Sequence, residues 1–306
     1  MNNNQPLVSV IMPNHNCLTY LKAAVASVQA QNMTDWELII ADDDSSDGSR
    51  QWIETQAKQD PRIRLLPVCV HHPAAARNAA IQVANGKWLA MLDADDVWAY
   101  DKLSRQLRHH QQHPEQLLSF TDYRHVNEQG QDLGSCFDYW QLTELQSANG
   151  EFRSLNKPLS FLFACNCIGT STVMVSTEAI WQVGGFDVSL PSAEDWDLWL
   201  KLAAIGGVSF CASCDMTYLM RAGSESSKLG ARIQALELIY KRHQAKLDDS
   251  DKRAKRRAQA RIASAKADLA QASHRLGEAV QAKMRSLLLQ PNKRQAKELV
   301  ALLKPQ

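Results

Sequence analysis

Gly86-Lys87-Trp88-Leu89-Ala90-Met91-Leu92-Asp93-Ala94-Asp95-Asp96-Val97-Trp98 is an apolar run that stops at three carboxylates, Asp93, Asp95 and Asp96. Alternation along an extended strand puts Asp93 and Asp95 on one face, where both can aim oxygens at one hard divalent ion. Such an ion keeps positions open for phosphate oxygens. The same acids also suit the first turn of a helix, with Asp95 or Asp96 as its cap and the charges facing its dipole. This stretch alone leaves both readings open, and the chain around it decides between them.

On its N-terminal side, β-rich runs alternate with helical patterns, as parallel βαβ units do. Strands are predicted at residues 7–12 (ended by Pro13), 36–41, 63–66 and 87–92, and helices at 18–31, 49–58 and 73–84. The loop after each strand is polar, and ligands of open α/β sheets bind at the carboxyl ends of the strands. Asp42, Asp43 and Asp47 follow the second strand, where turn and cap roles compete with ligand binding; Asp47 reads as a cap. Beyond the quoted stretch, a helix is predicted at 101–112 and a strand at 117–123, followed by a segment without strong periodicity at 127–156. His109, His110 and His113 lie on that helix and its end and read as solvent-exposed rather than as ligands. Residues 194–204 form a helix with an acidic first turn and with Leu198, Leu202 and Ile205 at helical spacing, and 222–227 reads as a flexible boundary.

The 306 residues suffice for a large core plus an appendage. No run reaches the roughly 20 apolar residues of a membrane span, and the first residues lack the basic and apolar regions of an export signal, so the expected location is cytoplasmic. Seven cysteines then suit reduced thiols. Cys165, Cys167, Cys211 and Cys214 have spacings that a four-thiolate zinc site allows, but they read as small buried apolar positions. Charge is uneven: residues 252–306 carry net +11 and the remainder −10. A basic tail suits anionic lipid, nucleic acid, an acidic partner or merely solvent. The absence of Trp, Tyr and Phe after Tyr240 argues against nucleic acid. The tail is rich in helix formers, with Ile262, Leu269 and Leu276 at heptad spacing, which predicts coiled-coil or helical-hairpin packing. A last amphipathic helix at 296–303 also suits a membrane surface.

Several motifs in order carry a resemblance over residues 7–221. They are Val8-Ser9-Val10-Ile11-Met12-Pro13-Asn14-His15-Asn16; the run from Trp36 to Ser49, with Asp44 where Gly is usual; Ala76-Arg77-Asn78-Ala79-Ala80; Leu92-Asp93-Ala94-Asp95-Asp96-Val97-Trp98; and Gly184-Gly185-Phe186-Asp187 followed by Ser192-Ala193-Glu194-Asp195-Trp196-Asp197-Leu198-Trp199. Together they resemble the inverting family 2 glycosyltransferases. The resemblance implies an α/β fold of GT-A type, a Rossmann-like mixed sheet flanked by helices over residues 1–228, followed by a basic all-helical extension over 229–306.

It implies nucleotide contacts from Pro13, His15, Asn16, Asp43, Arg77, Asp93 and Ala94, with Asp43 accepting from the base and His15 beside it. Arg77 reads otherwise as a surface ion pair. Asp95, with Asp93, is the implied site of Mn²⁺ or Mg²⁺. Asp195 is the implied catalytic base, oriented by Glu194. Trp196 reads as an acceptor platform or as a core residue. The family's Tyr-Arg-x-His pattern is incomplete here: Tyr218-Leu219-Met220-Arg221 has no His after it, which leaves Arg221 and the serines beyond it as candidate phosphate contacts. The implied partners are a UDP-sugar donor and a glycan or lipid-linked acceptor of bacterial surface polysaccharide synthesis. The tail is expected to serve peripheral binding at the inner membrane face or self-association. The competing expectation is a non-catalytic nucleotide-binding scaffold acting through the tail.

Overall fold

The structure is a computed structural model and describes residues 5–146, 150–221, 229–291 and 293–303. The boundary expected at 222–227, and the domain division expected just after it, lie outside the described residues. In chain order the elements are β1 (Val8–Asn14), α1 (Leu18–Gln29), β2 (Trp36–Asp43), α2 (Ser49–Gln59), β3 (Ile63–Val68), α3 (Pro73–Gln82), β4 (Trp88–Met91) and β5 (Val97–Trp98). Next come α4 (Lys102–Gln112), β6 (Gln116–Asn127), β7 (Asp132–Ser135), α5 (Cys136–Tyr139), β8 (Arg153–Ser154), α6 (Pro158–Ala164), β9 (Met174–Ser176), α7 (Thr177–Val183), α8 (Glu194–Ala203) and β10 (Gly207–Met220). The C-terminal helices are α9 (Leu229–His243), α10 (Lys252–Ala272), α11 (Leu276–Leu289) and α12 (Lys293–Leu302). The chain divides into two units: Met1–Leu155 with Cys167–Val188 and Lys201–Ala222, and Asn156–Asn166 with Ser189–Leu200 and Gly223–Gln306.

All ten strands belong to the first unit and make one mixed sheet of order β3-β2-β1-β4-β9-β6-β10-β5, with β7 on β6 and β8 on β10. β1, β2, β3 and β4 run parallel. β9 is antiparallel to β4 and β6, while β10 returns parallel to β6. Val8, Val10, Ile11 and Met12 are fully buried because β1 lies inside the parallel half of the sheet. β1 also runs through Pro13, where its end was expected. Ile11 accepts the Leu92 N–H, so odd-numbered residues of β1 face β4, and β4 has stopped at Met91 before Pro13 would need to donate.

A buried polar tie locks this half of the sheet together. Glu37 accepts from Ser9 Oγ at 2.7 Å, Arg64 Nη1 at 2.8 Å and the Asn85 N–H at 2.7 Å. Burial pushes the Glu37 pKa up, but these donors outweigh it and hold the group below its ordinary value. Gly86 donates to Ser9 Oγ at 2.8 Å, and a Cβ at Gly86 would stand 2.4 Å from Ser9 N, so no side chain fits.

His109 and His110 are not solvent-exposed as expected: both are buried on α4, where serines of the sheet offer hydrogen bonds. His109 Nε2 is 2.8 Å from Ser209 Oγ and His110 Nε2 is 2.8 Å from Ser119 Oγ, while the His110 ring stacks on Trp88 at 4.0 Å. Burial drives both pKa values down to about 4.

In the second unit, the heptad run is interrupted at 273–275, and α10 and α11 pack on each other as the expected helical hairpin. Alanines line the buried face of α10 (Ala254, Ala258, Ala263, Ala267 and Ala270), while Leu276 is exposed. Lys283 is buried and bonds Glu298 of α12 at 2.8 Å. All seven cysteines are free thiols. Among the described residues, no helix is long and apolar enough to cross a membrane.

Candidate active site

The acidic cluster sits on a turn. After β4, the Asp96 N–H closes onto Asp93 O at 3.1 Å and the chain continues into β5. That turn, rather than strand alternation or a helix N-terminus, orients Asp93 and Asp95. Ser171, on the short turn Thr170–Thr172, anchors it. Its Oγ accepts the Asp93 N–H at 2.9 Å and donates to Asp96 Oδ2 at 2.5 Å, and its carbonyl accepts Trp98 Nε1–H at 2.7 Å. Asp96 is buried, and that burial, with the charges of Asp93 and Asp95, raises its pKa well above the carboxylate range despite the Ser171 bond. Ala94, between the two outer acids, is packed into the core.

Each outer acid carries a guanidinium. Arg77 is buried rather than a surface residue, and its Nη2 donates to Asp93 Oδ1 at 2.6 Å while its guanidinium lies 5.5 Å over the Phe186 ring. Arg221, just past β10, donates to Asp95 Oδ2 from Nη2 at 2.8 Å and from Nε at 3.0 Å. Burial, then the charge of Asp93, raises the Asp95 pKa against the pull of Arg221. Two carboxylates, one resisting ionisation beside the other, offer hard oxygen donors that fit Mn²⁺ or Mg²⁺. The serines expected to help Arg221 lie outside the described residues.

A second group lies at the ends of β1 and β2. Asp43 Oδ1 accepts the N–H groups of Val70 and His71 at 2.7 and 3.0 Å, and Oδ2 accepts that of His72 at 3.1 Å. Burial opposes ionisation of Asp43, but the three backbone donors hold its pKa below the ordinary value. With two of the three bonds on Oδ1, Oδ2 is the freer acceptor. His15 Nδ1 is 2.5 Å from the Asp43 carbonyl. Asn16, at φ +51°, accepts the Ser46 N–H at 2.8 Å and donates its own N–H to Ser45 Oγ at 3.0 Å. Asp47 takes the Leu18 N–H at 2.8 Å and the Ser49 N–H at 3.0 Å; it thus satisfies the first N–H of both α1 and α2, while Cys17 and Gly48 occupy the N-cap positions themselves. The four cysteines weighed for zinc form no ligand cluster. Among the described residues the one mixed cluster is Asp44, Cys69 and His71, all exposed.

The Gly184-Gly185-Phe186 motif has a structural reason. Asn78 bonds both backbone groups of Phe186, donating at 2.8 Å and accepting at 3.0 Å. Gly185 has φ +69°, and a Cβ there would meet Asn78 Oδ1 at 2.8 Å.

In the second unit, Glu194 and Asp195 open α8 behind Ala193, at φ +55°. Asp195 Oδ1 accepts the Trp196 N–H at 2.6 Å. Trp196 takes the core alternative: it is 2 % exposed, donates Nε1–H to Leu162 O at 2.8 Å and carries the Arg261 guanidinium 4.6 Å over its ring. A ring so enclosed is no platform for an acceptor sugar. Asp197 is fully buried between His243 Nε2 at 2.8 Å and Arg242 Nη1 at 2.9 Å. Sequence reasoning missed Ser171, Asn78 and His243. The small polar run Gly169-Thr170-Ser171-Thr172 was the one local signal for the first.

A parallel βαβ half-sheet closed by an acid-bearing turn and continued by strands of mixed direction is the α/β architecture that the GT-A resemblance implied. The chain belongs to glycosyl transferase family 2, whose family description matches residues 9–169. It is 40 % identical over 245 residues to TuaG of Bacillus subtilis, a glycosyltransferase assigned by name to teichuronic acid biosynthesis; the match covers 79 % of this chain and 90 % of that protein. It is 29 % identical over 205 residues to WfgD of Escherichia coli, a UDP-Glc:alpha-D-GlcNAc-diphosphoundecaprenol beta-1,3-glucosyltransferase, covering 66 % and 72 % of the two chains. Its fold is similar to S. aureus TarS 1-349 in complex with UDP-GlcNAc, with TM-score 0.68, 16 % identity and coverage of 96 % and 83 %. It is also similar to the mannosyltransferase PcManGT of Pyrobaculum calidifontis in complex with GDP-Man and Mn²⁺, with TM-score 0.62, 18 % identity and coverage of 97 % and 84 %.

Proposed function

We propose that the protein is an inverting glycosyltransferase that moves a sugar from a UDP-sugar to a hydroxyl of a glycan or lipid-linked acceptor in bacterial surface polysaccharide synthesis. The observation that carries this reading is the turn bearing Asp93 and Asp95, braced by Ser171 and compensated by two arginines. Support for the donor and acceptor comes from relatives whose names specify a UDP-sugar, a diphosphoundecaprenol-linked acceptor and teichuronic acid.

In this reading Asp43 Oδ2 accepts the imide N–H of uracil, and His15, Asn16 and the Pro13 end of β1 border the base. Arg77 and Arg221 contribute charge-assisted contacts to the nucleotide and its phosphates. Asp95, with Asp93, holds Mn²⁺ or Mg²⁺, which when bound neutralises charge growing on the diphosphate leaving group. Asp195, oriented by Glu194, takes the proton from the acceptor hydroxyl. That oxygen bonds to the anomeric carbon on the face opposite the diphosphate, the carbon–phosphate-oxygen bond breaks, and configuration inverts. The domain assignment that accompanies this reading is a catalytic domain over 1–228 and a helical extension over 229–306.

The extension's positive charge, together with exposed Leu288, Val300 and Leu303, suits an anionic lipid surface at the cytoplasmic face. The test is UDP release from UDP-Glc and UDP-GlcNAc with GlcNAc-diphosphoundecaprenol as acceptor. Acceptor-stimulated release that falls at least about 100-fold in Asp195→Asn, with UDP binding retained, is expected. Equal rates in the two proteins would remove the base from the scheme.

A further inference from the structure

Two guanidinium charges sit where one divalent ion is expected, and they are not held alike. Arg77 is almost enclosed: its side chain is 8 % exposed where it meets Asp93. Arg221 is 31 % exposed, and its other neighbours are weak ones. Nη2 lies 3.6 Å from Cys17 Sγ, and the guanidinium carbon is 5.3 Å over the Tyr20 ring. Both of its strong hydrogen bonds go to the single oxygen Asp95 Oδ2. Oδ1 is thereby left the freer oxygen, so an ion held by both oxygens of Asp95 displaces Arg221, and one held on Oδ1 alone stands against the guanidinium's charge; of the two arginines, Arg221 is the more exposed and the freer to leave. A released guanidinium has its best new partner in a diphosphate, an anion that it can bond bidentately.

We propose that Arg221 is a resident cation for Asp95 in the donor-free protein, exchanged there for the divalent ion and passed to the diphosphate that arrives with it. The inference rests on the reading of Asp95 as a metal ligand. It has a consequence for binding order. The bare ion either breaks the Arg221–Asp95 pair without giving the arginine a new partner or binds beside its charge, so it binds poorly. The ion with UDP replaces that pair with two new ones. Ion and nucleotide thus bind as a strongly coupled unit, and Arg221 is the source of much of the coupling.

The experiment measures Mn²⁺ binding alone, by the paramagnetic resonance of the free ion, and UDP binding with and without Mn²⁺, by calorimetry, on the full chain. The proteins are wild type, Arg221→Gln, Arg221→Lys and Asp95→Asn. Arg221→Gln is expected to bind Mn²⁺ alone about tenfold tighter than wild type and UDP with Mn²⁺ about tenfold weaker, so that the ion–nucleotide coupling shrinks on both sides. Arg221→Lys, which keeps the charge but loses the fork, is expected to fall between them, and it carries the test should Arg221→Gln not fold. A folded Arg221 variant that binds Mn²⁺ alone no tighter than wild type overturns the exchange. Asp95→Asn separates the two levels of the account: if UDP binding keeps its full Mn²⁺ dependence in that variant, the metal-ligand reading itself has failed.

Discussion

Ser171 Oγ stands 2.5 Å from Asp96 Oδ2, a hydrogen bond between residues 75 apart in sequence that fixes the turn carrying Asp93 and Asp95. The same oxygen accepts the Asp93 N–H, so one hydroxyl serves both ends of the turn. Ser171→Ala removes both partners inside a buried site. We expect a loss of about 1–3 kcal/mol in urea unfolding and weaker Mn²⁺-dependent UDP binding from a looser turn. Unchanged values of both would show that the serine does not brace the acids.

The buried histidines predict a pH dependence with a definite sign. His110 has a folded pKa of about 4, below the ordinary imidazole value, so the unfolded chain binds the extra proton first as pH falls. Its stabilisation is whole above pH ~6.5 and is lost progressively towards pH ~4, by about 3 kcal/mol at most. His109 adds a loss of the same sign. Unfolding free energies of wild type and His110→Gln, measured from pH 7.5 to 4.5, should converge as pH falls. Parallel curves would mean that His110 does not titrate in this window.

Asp197 depends on the C-terminal helices. His243 and Arg242, both on α9, are its partners within the second unit, and the carboxylate is fully buried. His243→Leu removes the Nε2 contact while Arg242 stays, and is expected to destabilise the protein by about 2–3 kcal/mol. Removing residues 229–306 takes away both, so the shortened chain should lose stability as well as any tail-borne binding. A thermal midpoint equal to that of the full chain would contradict the role given to α9.

Gly185→Ala tests the motif joining Phe186 to α3. The new Cβ meets Asn78 Oδ1 at 2.8 Å, and φ of +69° disfavours any side chain, so a loss of about 2 kcal/mol is expected from chemical denaturation. Gly184→Ala, with no atom within 4 Å of its Cβ, carries the φ penalty alone and should lose less.

The parallel half of the sheet was legible because β1, β2 and β4 are short buried runs and β3, at the sheet edge, is a short β-rich one, all separated by Gly, Pro and Asp punctuation. The acids were legible as a cluster, but what orients them was not. The turn is set by the Asp93 carbonyl and by Ser171, which lies 75 residues from Asp96 and whose small polar run at 169–172 does not say which acids it will meet. His109 and His110 looked polar and therefore exposed, since a pattern cannot foresee that Ser209 and Ser119 of the sheet would satisfy them. Trp196 was ambiguous for the opposite reason: an aromatic beside two acids fits a sugar site, but Leu162 O and Arg261 enclose it. Of the two packings expected for the tail, the structure takes the helical hairpin: the break at 273–275 makes α10 and α11 separate helices packed on each other, with α10 burying alanines rather than the heptad Leu276.

The central claim is a UDP site that depends on a divalent ion at Asp95. Calorimetric titration of UDP, GDP and dTDP, with and without Mn²⁺, into the wild type and Asp95→Ala tests it most directly. The account predicts that UDP binds best, that Mn²⁺ strengthens binding at least about tenfold, and that this gain is absent in the variant. Folded protein that binds none of the three nucleotides, or that binds UDP with the same Mn²⁺ dependence after Asp95→Ala, would contradict it.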